Sequence, residues 1–339
     1  MKSPLFCIFD DRPEAETGIR LLIGSLKNAN RSARLCVFFD PASQAFRHWI
    51  DTLSDVELRA TPFPTGLGWD TKPHALIELL ETGEDQVVWL DSDIIVTHDP
   101  EPLFANAPED TLCITEDALW GSYEDAEGLR AKAWGFTVTR PFGHSLNTCV
   151  VRVTPAHLPL LKTWLACLNQ SEYKCAQQTF WADRPDHLFG DQDVITALLT
   201  SNYGAVPVQI LRRGNEIIQA FGLKGYTLRE RFGNLYNGLP VFIHAQGFKP
   251  WRRHRERWIA QVYFDVSPYV LAALQNLDAL DETEGQARFF EPKTGAGALL
   301  RYIGFGSIPV SGMPMAAAFD LTYGLSDMIK RLLRRLALR

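Results

Sequence analysis

Two acids separated by one residue, Asp91-Ser92-Asp93, follow the apolar run Val87-Val88-Trp89-Leu90 and precede a second, Ile94-Ile95-Val96. The β-branched and aromatic content of these runs reads as a buried strand whose end carries charge. In an extended segment residues two apart point the same way, so both carboxylates should be presented together while Ser92 faces away. Two such charges about 4 Å apart, at an effective dielectric near 20, repel by ~4 kcal/mol. A shared proton or a cation must compensate. Spacing alone says little, because chance supplies about one Asp-x-Asp in a chain of ordinary composition and this length, and Asp191-Gln192-Asp193 is another. Placement says more: ligand sites in open α/β sheets gather at the carboxyl ends of strands. The plainer alternative is a loop with two solvated acids.

A cation held by Asp91 and Asp93 would be hard and oxygen-preferring, Mg²⁺ or Mn²⁺. His244 closes a later strand, Val241-Phe242-Ile243, and could supply a third ligand, with an imidazole favouring Mn²⁺. Alone, it reads equally as a strand-end histidine satisfied in the core. The following segment, Ala245-Gln246-Gly247-Phe248-Lys249-Pro250-Trp251, shifts the balance. Gly247 permits close backbone approach, Lys249 supplies a point charge, Pro250 fixes the chain and Trp251 anchors it by burial. A metal and a lysine on one diphosphate form the electrostatic clamp that lets a nucleoside diphosphate leave. A surface loop with a solvated lysine is the competing interpretation.

These groups need a frame. Leu5 to Phe9 is a buried strand ending in Asp10-Asp11, and a helix capped at Thr17 carries Ile19, Leu22, Ile23 and Leu26 on one face. Leu35 to Phe39 is a second strand, with Phe46, Trp49, Ile50 and Leu53 marking a helix after it. Strand and helix alternating in this way build a parallel sheet with crossover helices. Residues 61–71 are turn-rich, and Pro73 opens a helix that Gly83 stops. Leu112 to Thr115, Leu146 to Val153 and Val206 to Leu211 are strand-like; Leu158 to Leu168 is helical, and Asp191 is placed to cap another helix. The aromatic, Gly-bearing stretch 118–143 suits a loop over a site.

With a net charge of −6, the 339-residue chain is no dedicated nucleic-acid binder. Its cysteines form no Cys-x-x-Cys pair, which points to reduced core thiols and a cytoplasmic setting. No signal-peptide core or membrane span is evident. Past residue 265 the alternation stops, and 285–315 is rich in Gly and Pro, suggesting irregular structure. The last stretch places Leu325, Met328, Ile329, Leu332, Leu333 and Leu336 on one helical face and Lys330, Arg331, Arg334, Arg335 and Arg339 on the other. That is a basic amphipathic helix over 325–338, suited either to an anionic membrane surface or to packing on the rest of the chain.

The strand with Asp91-Ser92-Asp93, the Asn147-Thr148 strand, Gly190-Asp191-Gln192-Asp193 and His244-Ala245-Gln246-Gly247-Phe248-Lys249-Pro250-Trp251 together resemble the retaining glycosyltransferases of family 8, the glycogenin and lipooligosaccharide galactosyltransferase type, over roughly residues 4–260. The His-x-x-Gly-x-Lys-Pro-Trp element is far more specific than the Asp-x-Asp. The resemblance implies an α/β, GT-A fold: a Rossmann-like, mostly parallel mixed sheet flanked by helices, with residues 1–265 as the catalytic domain and 266–339 as a C-terminal extension. It implies Mn²⁺ (or Mg²⁺) on Asp91, Asp93 and His244, and a diphosphate on Lys249 and Gly247 with Lys72 near the phosphates. Gln192 would lie beside the anomeric carbon, Asp191 and Asn147 would contact the donor sugar, and Asp10, Asp11 and Ser92 would sit near the nucleoside. The implied activity is transfer of a hexose, from a UDP-sugar by expectation, to a glycan or lipid-linked saccharide. The chain departs from the family in carrying Thr148-Cys149 where a small residue and Gly usually follow the Asn, in the stretch Trp69 to Pro73, and in lacking an evident aromatic base contact near residues 10–15.

Two other classes share parts of this pattern. A haloacid-dehalogenase-type phosphatase also places Asp-x-Asp at a strand end, but wants Thr or Val two residues after the second Asp and near the chain start, where this chain has Ile95 late in the domain. A non-catalytic nucleotide-sugar binder would not need the metal, lysine and Gln192 positions together.

Overall fold

The computed structural model describes residues 3–117, 127–142, 145–221, 225–247, 249–252, 258–281 and 284–303, and the single positions 318, 321, 322, 325, 329 and 333. Strands β1 (Leu5–Phe9), β2 (Arg34–Phe38) and β3 (Val56–Arg59) alternate with helices α1 (Glu16–Ala29) and α2 (Gln44–Asp51), and α3 (Lys72–Glu81) leads back to β4 (Val87–Leu90). The chain then passes through β5 (Ile94–Val96), α4 (Glu101–Ala105), β6 (Leu112–Glu116), α5 (Leu129–Ala133) and β7 (Leu146–Val153). Helices α6 (Leu158–Leu168), α7 (Ser171–Gln177) and α8 (Asp191–Thr200) precede β8 (Val208–Leu211) and β9 (Ile217–Gln219). After α9 (Leu228–Asn237) and β10 (Phe242–His244) come α10 (Trp258–Asp265), α11 (Pro268–Ala273) and α12 (Gly295–Ile303).

Seven strands form one sheet in the order β3-β2-β1-β4-β7-β6-β8. It is parallel except at β7, which runs antiparallel to β4 and β6. Alternation along each central strand feeds two cores. Cys7, Val87 and Trp89 face the side packed by α3, α6 and α8, while Phe6, Ile8, Val88 and Leu90 face the side packed by α1 and α2. Strands buried on both faces read as unbroken apolar runs, which is why β1 and β4 were visible in the sequence. Each large apolar side chain buried there contributes about 1.5–3 kcal/mol.

A second sheet, β5-β10-β9, takes up the apolar triplet Ile94–Val96 that follows the two acids. The chain leaves the large sheet at Leu90, bends through Asp91-Ser92-Asp93 and enters the small sheet at Ile94. Ile95, Ile218 and Ile243 of the small sheet share a core with Tyr269, Val270, Leu280 and Phe290. Arg20 of α1 lies 3.7 Å from Asp281, and Asn28 bonds Asn276 at 3.0 Å, so residues 266–290 brace α1.

Thr17, expected to cap α1, lies inside it, because a turn over Pro13–Ala15 begins the coil earlier. Asp191 likewise is the first residue of α8 rather than its cap; Gly190 takes that place, and the Asp191 side chain is drawn elsewhere. Within the stretch read as irregular, α12 forms, its start tied down by Asp265, which accepts from Thr294 N at 2.9 Å and Thr294 Oγ1 at 2.7 Å. Residues 118–126 of the expected loop and most of the 325–338 helix lie outside the described residues. Leu325, Ile329 and Leu333 are described, and each is helical and exposed.

Candidate active site

The paired acids owe their position to the crossing between sheets. Asp91 N donates to Cys149 O on β7 at 2.9 Å and Ile94 N to Asp91 O at 3.1 Å, so the segment is a tight bend rather than the extended strand expected. Ser92 points away from the acids, as anticipated, and donates to Asp10 Oδ2 at 2.6 Å. Antiparallel pairing of β10 with β5 sets His244 opposite Ile94, and Ala245 N reaches Asp93 O at 3.0 Å. His244 Nε2 therefore stands 3.3 Å from Asp93 Oδ1 and 3.8 Å from Asp91 Oδ2. One oxygen or nitrogen from each of the three residues lies within 4.8 Å of the others. Behind the bend, α1 comes so close that a Cβ on Gly18 would sit 2.5 Å from Ser92 O and 2.7 Å from the Trp251 ring.

Lys249 bonds the second oxygen of Asp93. Burial pushes the Asp93 carboxyl up, but Lys249 and His244 more than reverse this and hold it well below the usual carboxylate range. Burial likewise opposes charge on His244, while Cys149 and Asp93 favour it and carry the ring to about 10. Two carboxylates and one imidazole, convergent and buried except for the half-buried Asp91, fit a divalent cation of the Mn²⁺ or Mg²⁺ kind. Gly247, at φ 82°, lets the loop before Lys249 pass where a Cβ would meet the Phe221 ring at 2.6 Å.

Beside these acids lies a second polar cluster. Lys72, buried at the start of α3, donates to Thr148 Oγ1 at 2.7 Å and stands 3.3 Å from both Asp91 Oδ1 and Asp191 Oδ2. Burial lowers its ammonium, but Asp191 and Asp91 outweigh that and hold it above the ordinary lysine range. Thr148 passes its own proton to Asp191 Oδ2 at 2.7 Å. Burial raises the Asp191 carboxyl against the pull of Lys72 and Thr148. Asn147 Nδ2 donates to Gln192 Oε1 at 2.9 Å. Asp117, which the sequence reading overlooked, collects the remaining amides: Asn147 Nδ2 at 3.2 Å, Gln246 Nε2 at 3.1 Å and Gln192 Nε2 at 3.4 Å. It follows β6 as Asp10 follows β1, so an acid after a strand was its available signal.

At the opposite end Asp10 is clamped by Arg12, whose Nε and Nη2 reach its two oxygens at 2.7 and 2.6 Å. Asp11 accepts from Gly66 N at 2.5 Å, fastening the turn-rich loop. All the sequence-selected residues from Asp10 to Lys249 line or adjoin one cleft of about 650 Å³.

The sequence matches no family model and no curated protein. Among solved structures, the bifunctional glycosyltransferase WbbM is similar over 85% of this chain with a TM-score of 0.55 at 13% identity. The chain has a GT-A glycosyltransferase fold. It spans about half of WbbM, 52% of that chain. Similarity also extends to the galactosyltransferase LgtC, solved with donor and acceptor sugar analogues, over 83% of this chain and 99% of that one, with a TM-score of 0.48 at 17% identity. GlyE of Streptococcus pneumoniae TIGR4 matches 87% of this chain and 66% of its own at 14% identity, with a TM-score of 0.45.

In this glycosyltransferase fold the mouth of the cleft is aromatic. Trp69, Trp181 and Phe189 line it near Gln192. Trp181 packs edge-on to Phe189 at 5.7 Å and tilts against Phe180 at 5.5 Å. These residues come from the loop entering α3 and the segment between α7 and α8, where no periodic pattern marked them.

Proposed function

We propose that this chain is a metal-dependent, retaining glycosyltransferase that moves a hexose from a nucleotide-diphosphate sugar, with a UDP-sugar as the first candidate, to a hydroxyl of a glycan or glycolipid. The observation that carries this is the convergence of Asp91, Asp93, His244 and Lys249 on one cleft floor, with Asn147, Asp191 and Gln192 beside them. Asp91, Asp93 and His244 would hold Mn²⁺ or Mg²⁺, which when bound offsets negative charge on a diphosphate. Lys249, released from Asp93, would meet that diphosphate, and Gly247 would let the loop approach it. Asn147 and Asp191 would hold the sugar with Gln192 below its anomeric carbon. Lys72 and Thr148 keep Asp191 engaged, and the proposed transfer requires no dedicated carboxylate nucleophile. Retention then follows if the departing diphosphate oxygen takes the proton of the incoming hydroxyl on the same face. The exposed Trp69, Phe180 and Trp181 suit the apolar face of an acceptor pyranose. Asp10, Asp11 and Ser92 would lie near the nucleoside, and catalysis would belong to residues 1–265.

The purified chain, incubated with a panel of nucleotide sugars with and without Mn²⁺, is expected to release nucleoside diphosphate from one donor only when metal is present. No release from any donor, together with no thermal shift on adding nucleoside diphosphate and Mn²⁺, would rule this function out.

We further infer that the 266–339 extension holds the enzyme on the cytoplasmic face of an anionic membrane. Leu321, Leu325, Ile329 and Leu333 recur every four residues and are each more than half exposed, and each neighbouring basic residue adds about 1 kcal/mol at such a surface. No helix among the described residues is long and apolar enough to cross a membrane. Deleting residues 325–339 should abolish cosedimentation with phosphatidylserine vesicles; unchanged binding removes this role.

A further inference from the structure

We infer that Gln219 is a positioning residue that pins the ring proton of His244 on Nδ1 and so leaves Nε2 as the atom facing Asp91 and Asp93; the consequence for metal affinity rests on the metal site proposed above. In the small sheet β9 and β10 run in parallel with Gln219 and His244 as direct partners, so the two side chains share a face. Gln219 is fully buried and His244 nearly so. His244 Nδ1 and Gln219 Oε1 are 2.6 Å apart.

Proton inventory then assigns both the ring and the amide. A glutamine amide has two N–H donors and one acceptor oxygen. Gln219 Nε2 donates to the backbone oxygen of Glu116 at 3.1 Å and to Cys149 Sγ at 3.5 Å. A carbonyl oxygen can only accept, so turning the amide over would set oxygen against oxygen at Glu116 in a buried site. Nitrogen therefore faces Glu116 and oxygen faces the imidazole. The group on Nδ1 must be N–H, whatever the state of Nε2. A histidine that ligates through one nitrogen is generally oriented by an acceptor on the other, and loss of that acceptor weakens the metal.

Cys149 gives this arrangement a feature particular to the chain. Its sulfur accepts the second amide N–H of Gln219. Thr115 Oγ1, 3.3 Å from the same sulfur, sends its own proton to Asn147 O at 2.6 Å. Cys149 is thus a support behind His244, through Gln219.

Gln219→Leu, which keeps the volume and removes the acceptor, is expected to weaken Mn²⁺ binding measured by calorimetry by about 10–100-fold. Gln219→Glu keeps an oxygen acceptor for Nδ1 and, as the protonated acid, an O–H donor for Glu116 O, and should restore affinity to within a few fold. If Gln219→Leu does not fold, the wild-type protein still decides the matter: with ¹⁵N-labelled histidine, the Nδ1–H of His244 should appear as a slowly exchanging downfield proton, assigned by its loss in His244→Asn. A wild-type ring whose lone pair sits on Nδ1, or a folded Gln219→Leu with unchanged Mn²⁺ affinity, would overturn the inference. Wild-type protein that shows the Nδ1–H signal but binds no Mn²⁺ would overturn the metal site while leaving the hold of Gln219 on the ring intact.

Discussion

The floor of the cleft and its rim are built by opposite rules. On the floor, Asp93, Asn147, Asp191 and His244 are each about 4% exposed, and their polar atoms are spent on one another. At the rim, Trp69, Phe180 and Trp181 are 48%, 65% and 39% exposed; Phe180 and Trp181 meet ring to ring, and Trp69 lies under the Arg184 guanidinium. Buried polar networks are costly when incomplete, and so they fix geometry. Exposed aromatic surface tolerates adjustment. On the proposed function, a donor would meet a preorganised floor and an acceptor a permissive rim.

Substitutions should separate the two regions. Asp93→Ala is expected to reduce Mn²⁺-dependent release of nucleoside diphosphate by about 10³-fold, and unchanged release would remove the floor from catalysis. Asp117→Ala frees the amides of Asn147, Gln192 and Gln246 at once; kcat should fall about 10²-fold while donor affinity, read by calorimetry, changes only a few fold. An equal loss in both would mean that Asp117 holds the fold rather than the alignment. Trp181→Ala should raise KM for a saccharide acceptor by about 10-fold with slow donor hydrolysis unaffected. If hydrolysis falls as well, rim and floor are not separable.

The smallest effect concerns stability. Asp70 lies behind the floor, where burial raises its carboxyl to about 7 against the hydrogen bond from Tyr173 at 2.7 Å. Unfolded, an aspartate titrates near ~3.9. Between those values the folded state binds the extra proton, so stability present below about pH 4 is lost as pH rises towards 7. Asp70→Asn keeps an acceptor for Tyr173 and should flatten the melting temperature across that window without altering turnover. A variant as pH-sensitive as the wild type would assign the dependence to Asp193, also pushed up to about 7 by burial against Arg130.

What the sequence disclosed follows from how locally each feature is encoded. Asp91, Asp93, His244 and Lys249 sit in short strings that carry their own signals, and the runs of β1 and β4 are long enough to show as buried strands. Of the three-residue strands, β10 shows in its apolar run, but β5 and β9 are too short for any period to register, so the small sheet went unseen and with it the bend that aims the acids. Asp117 and Gln219 work through partners 30 and 25 residues away, joined by strand register rather than spacing. The aromatic rim depends on loops whose placement no periodicity sets. Thr17 and Asp191 were misjudged as caps because composition marks helix starts to within a residue or two, while the first turn is decided by flanking Pro13 and by the pull of Thr148.

Gly18 belongs to no motif and has no side chain. Yet the smallest possible enlargement there would press on the carbonyl of Ser92, midway between the two acids. The tolerance of the site is thus set from outside it, by the thickness of one helix. In mutational terms α1 contains a position that should be as intolerant as any acid in the cleft, and a catalogue of damaging variants drawn only from residues that touch substrate would omit it.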